Sequence, residues 1–147
     1  MFADTVKNTG SAVVQFFDAD DNLLHTVEED NLVVTAGLNW IASRTTGAPA
    51  LMGWMAMGTD GTAPAPGHAH LGHETARVAL TSAVTTGSVT AYTATFPAGV
   101  GTGTLAELGI FNASNLNGGV MLNRVAFPSE QKESTTIVKV VWNVTQS

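Results

Sequence analysis

Ser134-Thr135-Thr136-Ile137-Val138-Lys139-Val140-Val141-Trp142-Asn143-Val144-Thr145 is the stretch that decides the fold. Val138, Val140, Trp142 and Val144 fall on one side of an extended chain, with Lys139 and Asn143 on the other. Successive side chains in a strand point to opposite faces, so this alternation marks a strand with one face on a core. Four stretches upstream read the same way: residues 74–84, 88–97, 104–113 and 119–127. Turn segments rich in Gly, Pro or Asn close them at 85–87, 98–103, 114–118 and 128–133. Five strands joined by short turns predict antiparallel sheet.

Moving toward the N-terminus, residues 11–17 predict another strand, with Val13 and Phe17 buried and burial of Val14 and Phe16 on the opposite side left open. Asp18-Ala19-Asp20-Asp21-Asn22 reads as a turn, and residues 23–29 return as the second strand of a hairpin. Acidic Glu28-Glu29-Asp30 and Asn31 separate that strand from Leu32-Val33-Val34. Thr35 is positioned to cap a helix running from Ala36 to about Thr45, with Leu38, Ile41 and Ala42 as its apolar stripe, Trp40 at the stripe's edge and Gly47 as its stop. Residues 51–57 form a short apolar strand around Trp54, and residues 58–72 a long loop carrying Pro64, Pro66, His68 and His70. Loops of that length are often functional or form interfaces. The expected architecture is mostly β: an antiparallel β-sandwich of about eight strands with one short α-helix. It occupies residues 9–147 as a single domain, preceded by an extended arm, residues 1–8.

At 147 residues the chain is long enough for one domain that buries roughly two-thirds of its unfolded surface. Charged residues make up 12 %, about half the usual share, so much of the surface is expected to be covered by partners rather than kept soluble by charge. The net charge is −6, and the six bases (Lys7, Arg44, Arg77, Arg124, Lys132, Lys139) form no stripe. With nothing arrayed to neutralise phosphates, no nucleic-acid partner is expected. Cysteine is absent, which excludes disulfides and thiolate chemistry. Residues 1–7 lack a basic segment followed by an apolar one, and no apolar run reaches the roughly 18 residues of a membrane span. Neither secretion nor a membrane partner is expected.

The sharpest cluster is His68-Ala69-His70-Leu71-Gly72-His73-Glu74. In extended chain His68 and His70 share a face, and His73 or Glu74 is placed to complete a tetrahedral N/O site. A second ligand cluster is missing from the sequence, so a polar loop is the expectation and no metal or cofactor is assigned; one histidine per subunit on an oligomer axis stays open. Asp18–Asn22 matches the start of a calcium loop with Glu29 at its twelfth position, but Leu23 stands where the sharp turn needs glycine. An acidic hairpin turn is the simpler reading. Gly99-Val100-Gly101-Thr102-Gly103 precedes a strand, without the helix N-terminus of a phosphate cradle. His25 reads as structural, and Phe96, Phe111, Phe127 and Trp142 as core. Glu74 and Glu107 are the only carboxylates considered as a hydrolytic pair, and nothing in the sequence brings them together. No catalytic residue is assigned and no enzyme is expected.

Two longer stretches carry a family resemblance. One runs from Phe17-Asp18-Ala19-Asp20-Asp21-Asn22-Leu23 to Asn31-Leu32-Val33-Val34-Thr35-Ala36-Gly37-Leu38. The other contains His73-Glu74-Thr75-Ala76-Arg77-Val78, Tyr92-Thr93-Ala94-Thr95-Phe96-Pro97, Leu105-Ala106-Glu107-Leu108-Gly109-Ile110-Phe111-Asn112 and Met121-Leu122-Asn123-Arg124-Val125-Ala126-Phe127-Pro128. Through these the chain resembles small β-rich structural proteins of tailed-bacteriophage virions. That resemblance implies a homo-oligomer, often a trimer, assembled in the bacterial host cytoplasm and docked on the virion, and it brings no catalytic residues.

The expected function is a virion structural protein, a capsid decoration (cement) protein that binds and stabilises the shell of major capsid protein. Its contact segments are expected in the arm, the 58–72 loop and the 128–133 loop. A tail-fibre, baseplate or neck module is the first alternative. A receptor- or glycan-binding β-sandwich is the second, and it requires Trp40, Trp54 and Trp142 to be exposed. An enzyme would require His68, His70 or His73 to assemble with Glu74 around a metal.

Overall fold

The alternation of the C-terminal stretch is realised as a central strand. A computed structural model describes residues 8–146; the expected arm falls in residues 1–7, outside the described residues, except for Asn8, which already belongs to a strand. The elements are β1 (Asn8–Phe17), β2 (Leu23–Asp30), β3 (Leu32–Val33), α1 (Thr35–Ser43), β4 (Trp54–Gly58), β5 (Glu74–Ala79), β6 (Ser82–Thr86), β7 (Val89–Phe96), β8 (Gly103–Phe111), β9 (Met121–Lys132) and β10 (Ile137–Gln146). They make two five-stranded antiparallel sheets, ordered β2-β1-β10-β7-β6 and β3-β9-β8-β4-β5. The architecture is the expected β-sandwich, with ten strands rather than about eight.

The first sheet has one dry face and one wet face. In β10, Val138, Val140, Trp142 and Val144 are buried and Val141 and Asn143 exposed, as the sequence pattern required. Ala12, Val14 and Phe16 of β1, and Tyr92, Ala94 and Phe96 of β7, line the same dry face. In β1 the core takes Val14 and Phe16, the side left open, whereas Val13 and Phe17, expected to be buried, are only half-buried. Its near-continuous apolar run fits either phase, and pairing with β10 (Val14↔Val140, Phe16↔Val138) selects the one that meets the core. Each large side chain buried there contributes about 1.5–3 kcal/mol.

The middle strands of the second sheet are buried on both faces, and β8 reads as unbroken burial from Leu105 to Phe111. Leu105, Leu108 and Ile110 enter the core between the sheets. Phe111 and Met121 turn to the far face, where Leu71 of the long loop and Val34 before α1 cover them. That cover explains why alternation was weak in this part of the sequence.

Three further departures have local causes. Residues 74–84 split into β5 and β6, in different sheets; Leu80 N–H donates to Gly53 O and Thr81 N–H to Thr93 O as the chain crosses, without any glycine or proline to announce it. The expected 128–133 loop is instead the end of β9, paired through Lys132↔Gly103. Pro128 is tolerated because the register shifts between Leu105 and Glu107, so the missing N–H falls in a bulge. Finally, α1 starts after Val34, without a side-chain cap from Thr35, and ends at Ser43, where Gly47 N–H closes on Ser43 O.

The helix presents Gly37 and Trp40 to the protein, leaving Leu38 42 % exposed and Ala42 exposed. The expected stripe is thus turned by one residue. A Cβ on Gly37 would sit 2.0 Å from Leu122 O, so only glycine lets the helix lie this close to β9, while Trp40 anchors its far end through Nε1–H donating to Ala50 O at 2.9 Å. Gly37→Ala is expected to lower the unfolding free energy by about 1–3 kcal/mol, despite alanine's better helix propensity. Urea unfolding checks this, and a stabilised variant would refute the close-approach argument.

Candidate functional site

The long loop is the natural place to look for chemistry, and one buried ion pair organises it. Glu107 on β8 is fully buried and Arg124 on β9 is 1 % exposed; their strands pair directly, Gly109↔Arg124 and Glu107↔Ala126. Arg124 Nε donates to Glu107 Oε1 at 3.1 Å. The same carboxylate accepts three loop N–H groups, Gly72 on Oε1 at 2.8 Å and Asp60 and His73 on Oε2 at 2.9 Å each. Arg124 spends its remaining nitrogens on the loop as well: Nη1 donates to Thr62 O at 2.6 Å and Nη2 to Asp60 O at 2.8 Å. Gly58 makes room for this, since a Cβ there would lie 2.6 Å from Glu107 Oε2. Two buried charges are otherwise costly; here each is neutralised by the other and saturated by backbone groups the loop must satisfy.

A second pair does the same for residues 113–118. Arg77 grips Glu74 through Nε at 2.8 Å and Nη2 at 2.7 Å, and its Nη1 donates to Ala113 O and Gly118 O. Asn117 N–H donates to Glu74 Oε1 at 3.1 Å, and the guanidinium lies 3.9 Å from the centre of the Phe111 ring. A further buried charge is Lys132, whose Nζ donates to Pro97 O at 2.9 Å and Thr136 O at 2.7 Å. Burial pushes its pKa below the usual lysine value.

Sheet order sets Glu107 and Glu74 in one row, each opposite Gly58 on the strand between them. The carboxylates considered as a hydrolytic pair are therefore two strands apart, a backbone spacing of roughly 10 Å. Each is held by its own arginine, Glu107 with three loop N–H groups besides and Glu74 with the Asn117 N–H, so the two are not brought together as a pair. Sequence reading passed over Arg124, Arg77 and Lys132. The signal was present in charged residues inside apolar runs such as Leu105-Ala106-Glu107-Leu108 and Met121-Leu122-Asn123-Arg124-Val125, where burial forces pairing.

The histidines serve the loop. His68 Nδ1 accepts Ala65 N–H at 3.1 Å, His70 Nδ1–H donates to Leu71 O at 2.8 Å, and His73 Nδ1 meets Thr59 Oγ1 at 2.9 Å. Among the described residues no three His, Asp or Glu side chains converge as a metal-binding group. His25 stacks on Phe16 at 4.6 Å and lies 3.1 Å from Glu130. Asp18 closes the hairpin turn by accepting N–H groups of Asp20 and Asn22 at 2.9 Å each. Trp142 and Trp40 are buried and Trp54 half-buried, so the exposed tryptophans that a glycan surface required are not presented. An open cleft of about 520 Å³ lies between α1 and β6–β7, lined by Trp40, Leu51, Met52, Ala83 and Tyr92 among others; burial raises the pKa of the Tyr92 hydroxyl.

No family model, no curated protein and no solved structure matches the chain.

Glu107→Ala is expected to cost about 3–5 kcal/mol, because it strands a buried guanidinium and three loop amides. Adding Arg124→Met should recover part of that loss. Urea midpoints test it, and a Glu107→Ala protein as stable as the parent would remove the clamp. Acid should act on the turns first. The Thr62 hydroxyl and backbone N–H lower the Asp60 pKa, and the Asn22 backbone and side chain lower that of Asp18. A depressed carboxylate contributes stability above its unfolded value, near pH 4, and loses it as pH falls through its folded value. Hydrogen exchange at Thr62 and Asn22 should therefore accelerate, relative to the core strands, only below about pH 4.

Proposed function

We propose that the chain is a structural component of a bacteriophage virion, a decoration protein that docks on and stabilises a shell of major capsid protein. The resemblance of its two long stretches to virion proteins supports the phage origin. The observation that carries the docking role is the wet face of the first sheet. Reading across β1, β10, β7 and β6, one row is Ser11–Asn143–Ala91–Val84 and the next Val13–Val141–Thr93–Ser82. Across these four strands neither row contains a charge, acids entering only where the rows reach Asp30 and Glu28 of β2, and Val141 and Val84 stand 42 % and 56 % exposed. A flat neutral face of short side chains loses little conformational entropy and desolvates cheaply against another protein. The buried charges support the same role from inside, since they hold three loops in fixed positions.

Imaged particles test the reading. Many copies distributed over the shell are expected; a few copies at one vertex or on the tail would replace decoration with a neck, baseplate or fibre role. Val141→Glu places a charge at the centre of the face without touching the core. It is expected to reduce binding to shells that lack the protein by about tenfold or more, the penalty for an unpaired charge in an interface. Undiminished binding would remove this face from the proposal.

A further inference from the structure

The sandwich has four sheet edges, and three are guarded. β2 carries Glu28, Glu29 and Asp30, β3 is two residues long, and β5 has the 113–118 turn bonded to its Arg77 and Glu74 side chains. Charge, brevity and an overlying segment are the usual devices that stop a strand edge from pairing with another chain. The fourth edge, β6, has none of them. Ser82-Ala83-Val84-Thr85-Thr86 is neutral, free of proline, and in unbroken register with β7. All five residues are exposed, and no described strand lies on their far side. The Ser82–Thr93 and Thr85–Thr90 hydroxyl pairs hold it straight against β7.

We propose that β6 is a self-pairing edge, along which two copies of this chain join antiparallel into a continuous ten-stranded sheet. The strand is self-complementary about its middle residue: with Val84 on the two-fold axis, Ala83 meets Thr85 and Ser82 meets Thr86 of the other copy. Every one of these pairs is uncharged. Val84 is apolar and 56 % exposed on the wet side of the edge, and Leu51, 65 % exposed, lines the cleft beside Ala83 and Thr85 on the other side. Pairing thus shields apolar surface above and below the new backbone hydrogen bonds. Charge chooses the same orientation. The copies are acidic and repel, but the acids of the sheet lie on β2, at the opposite edge, so β6-to-β6 approach keeps them farthest apart. The interface is a strand's length, so the association is weak and concentration-dependent. The pairing does not depend on the virion reading: shell binding and self-pairing can each fail while the other stands.

The chain's lack of cysteine gives a direct test. Opposed residues in an antiparallel pair have Cα atoms about 4.5–5.5 Å apart, within the range a disulfide spans. Full-length Val84→Cys under mild oxidation is expected to form a covalent dimer about tenfold faster than Leu24→Cys, an equally exposed site on the opposite edge, because pairing raises the local thiol concentration. The unmodified chain's sedimentation mass should climb toward two copies with concentration, and Val84→Lys should hold it at one. Equal crosslinking rates, a chain that stays monomeric at every concentration, or an oligomer such as a trimer that Val84→Lys leaves unchanged would each overturn the proposal.

Discussion

The Glu107–Arg124 ion pair is the constraint on which the second half of the fold depends. It is buried in the far face of the second sheet, and its hydrogen bonds reach five backbone groups of the long loop. The loop's Leu71 in turn seals Phe111 and Met121 from water. Without the pair, the sheet would present an apolar face to solvent and the loop would hold unsatisfied amides over it. The interaction costs desolvation and is justified by the groups it satisfies rather than by its own Coulomb energy. Glu74–Arg77 and Lys132 repeat the arrangement at smaller scale, each fixing a turn to the sheet.

This internal use of charge shapes the surface. Three of the six bases, Arg77, Arg124 and Lys132, have buried side chains. Of the others on the described chain, Lys139 lies over Phe17 and bonds Asp21, and Arg44 lies over Trp40. Acids collect on the β1–β2 hairpin. What remains across β10, β7 and β6 is a neutral face and an unguarded edge. Low charge in the composition hinted at covered surface; the sheet order says which surface is free to be covered, and this is the basis of both the docking role and the self-pairing proposed for the chain.

Much of the architecture was legible because it rests on local periodicity. The alternation of residues 137–146 fixed the face of β10, and the turn residues at 87, 99–103 and 117–119 adopt the positive φ values their glycines and Asn117 permit. The misreadings fall where local pattern is silent. Val13-Val14 and Phe16-Phe17 are apolar in both phases, so only the neighbouring strand could choose between them. Leu80-Thr81 changes sheets with nothing local to mark it. Pro128 reads as a strand breaker until the opposing register shift is known. The clamps were half-legible: a glutamate or an arginine within an apolar run signals a buried partner but not its identity, because Glu107 and Arg124 are 17 residues apart and meet only through strand pairing.

By itself, then, the sequence determined the fold class, the strand-rich C-terminal half, the helix that follows Val34 and the absence of thiol chemistry. These depend on side-chain types and their spacing along one chain. Tertiary structure alone decided the phase of β1, the rotation of α1 onto Gly37 and Trp40, the partners of each buried charge and the exposure of β6. Each of those is settled by what lies opposite across a sheet or a core, and contact energies between segments distant in sequence leave no periodic trace in either one.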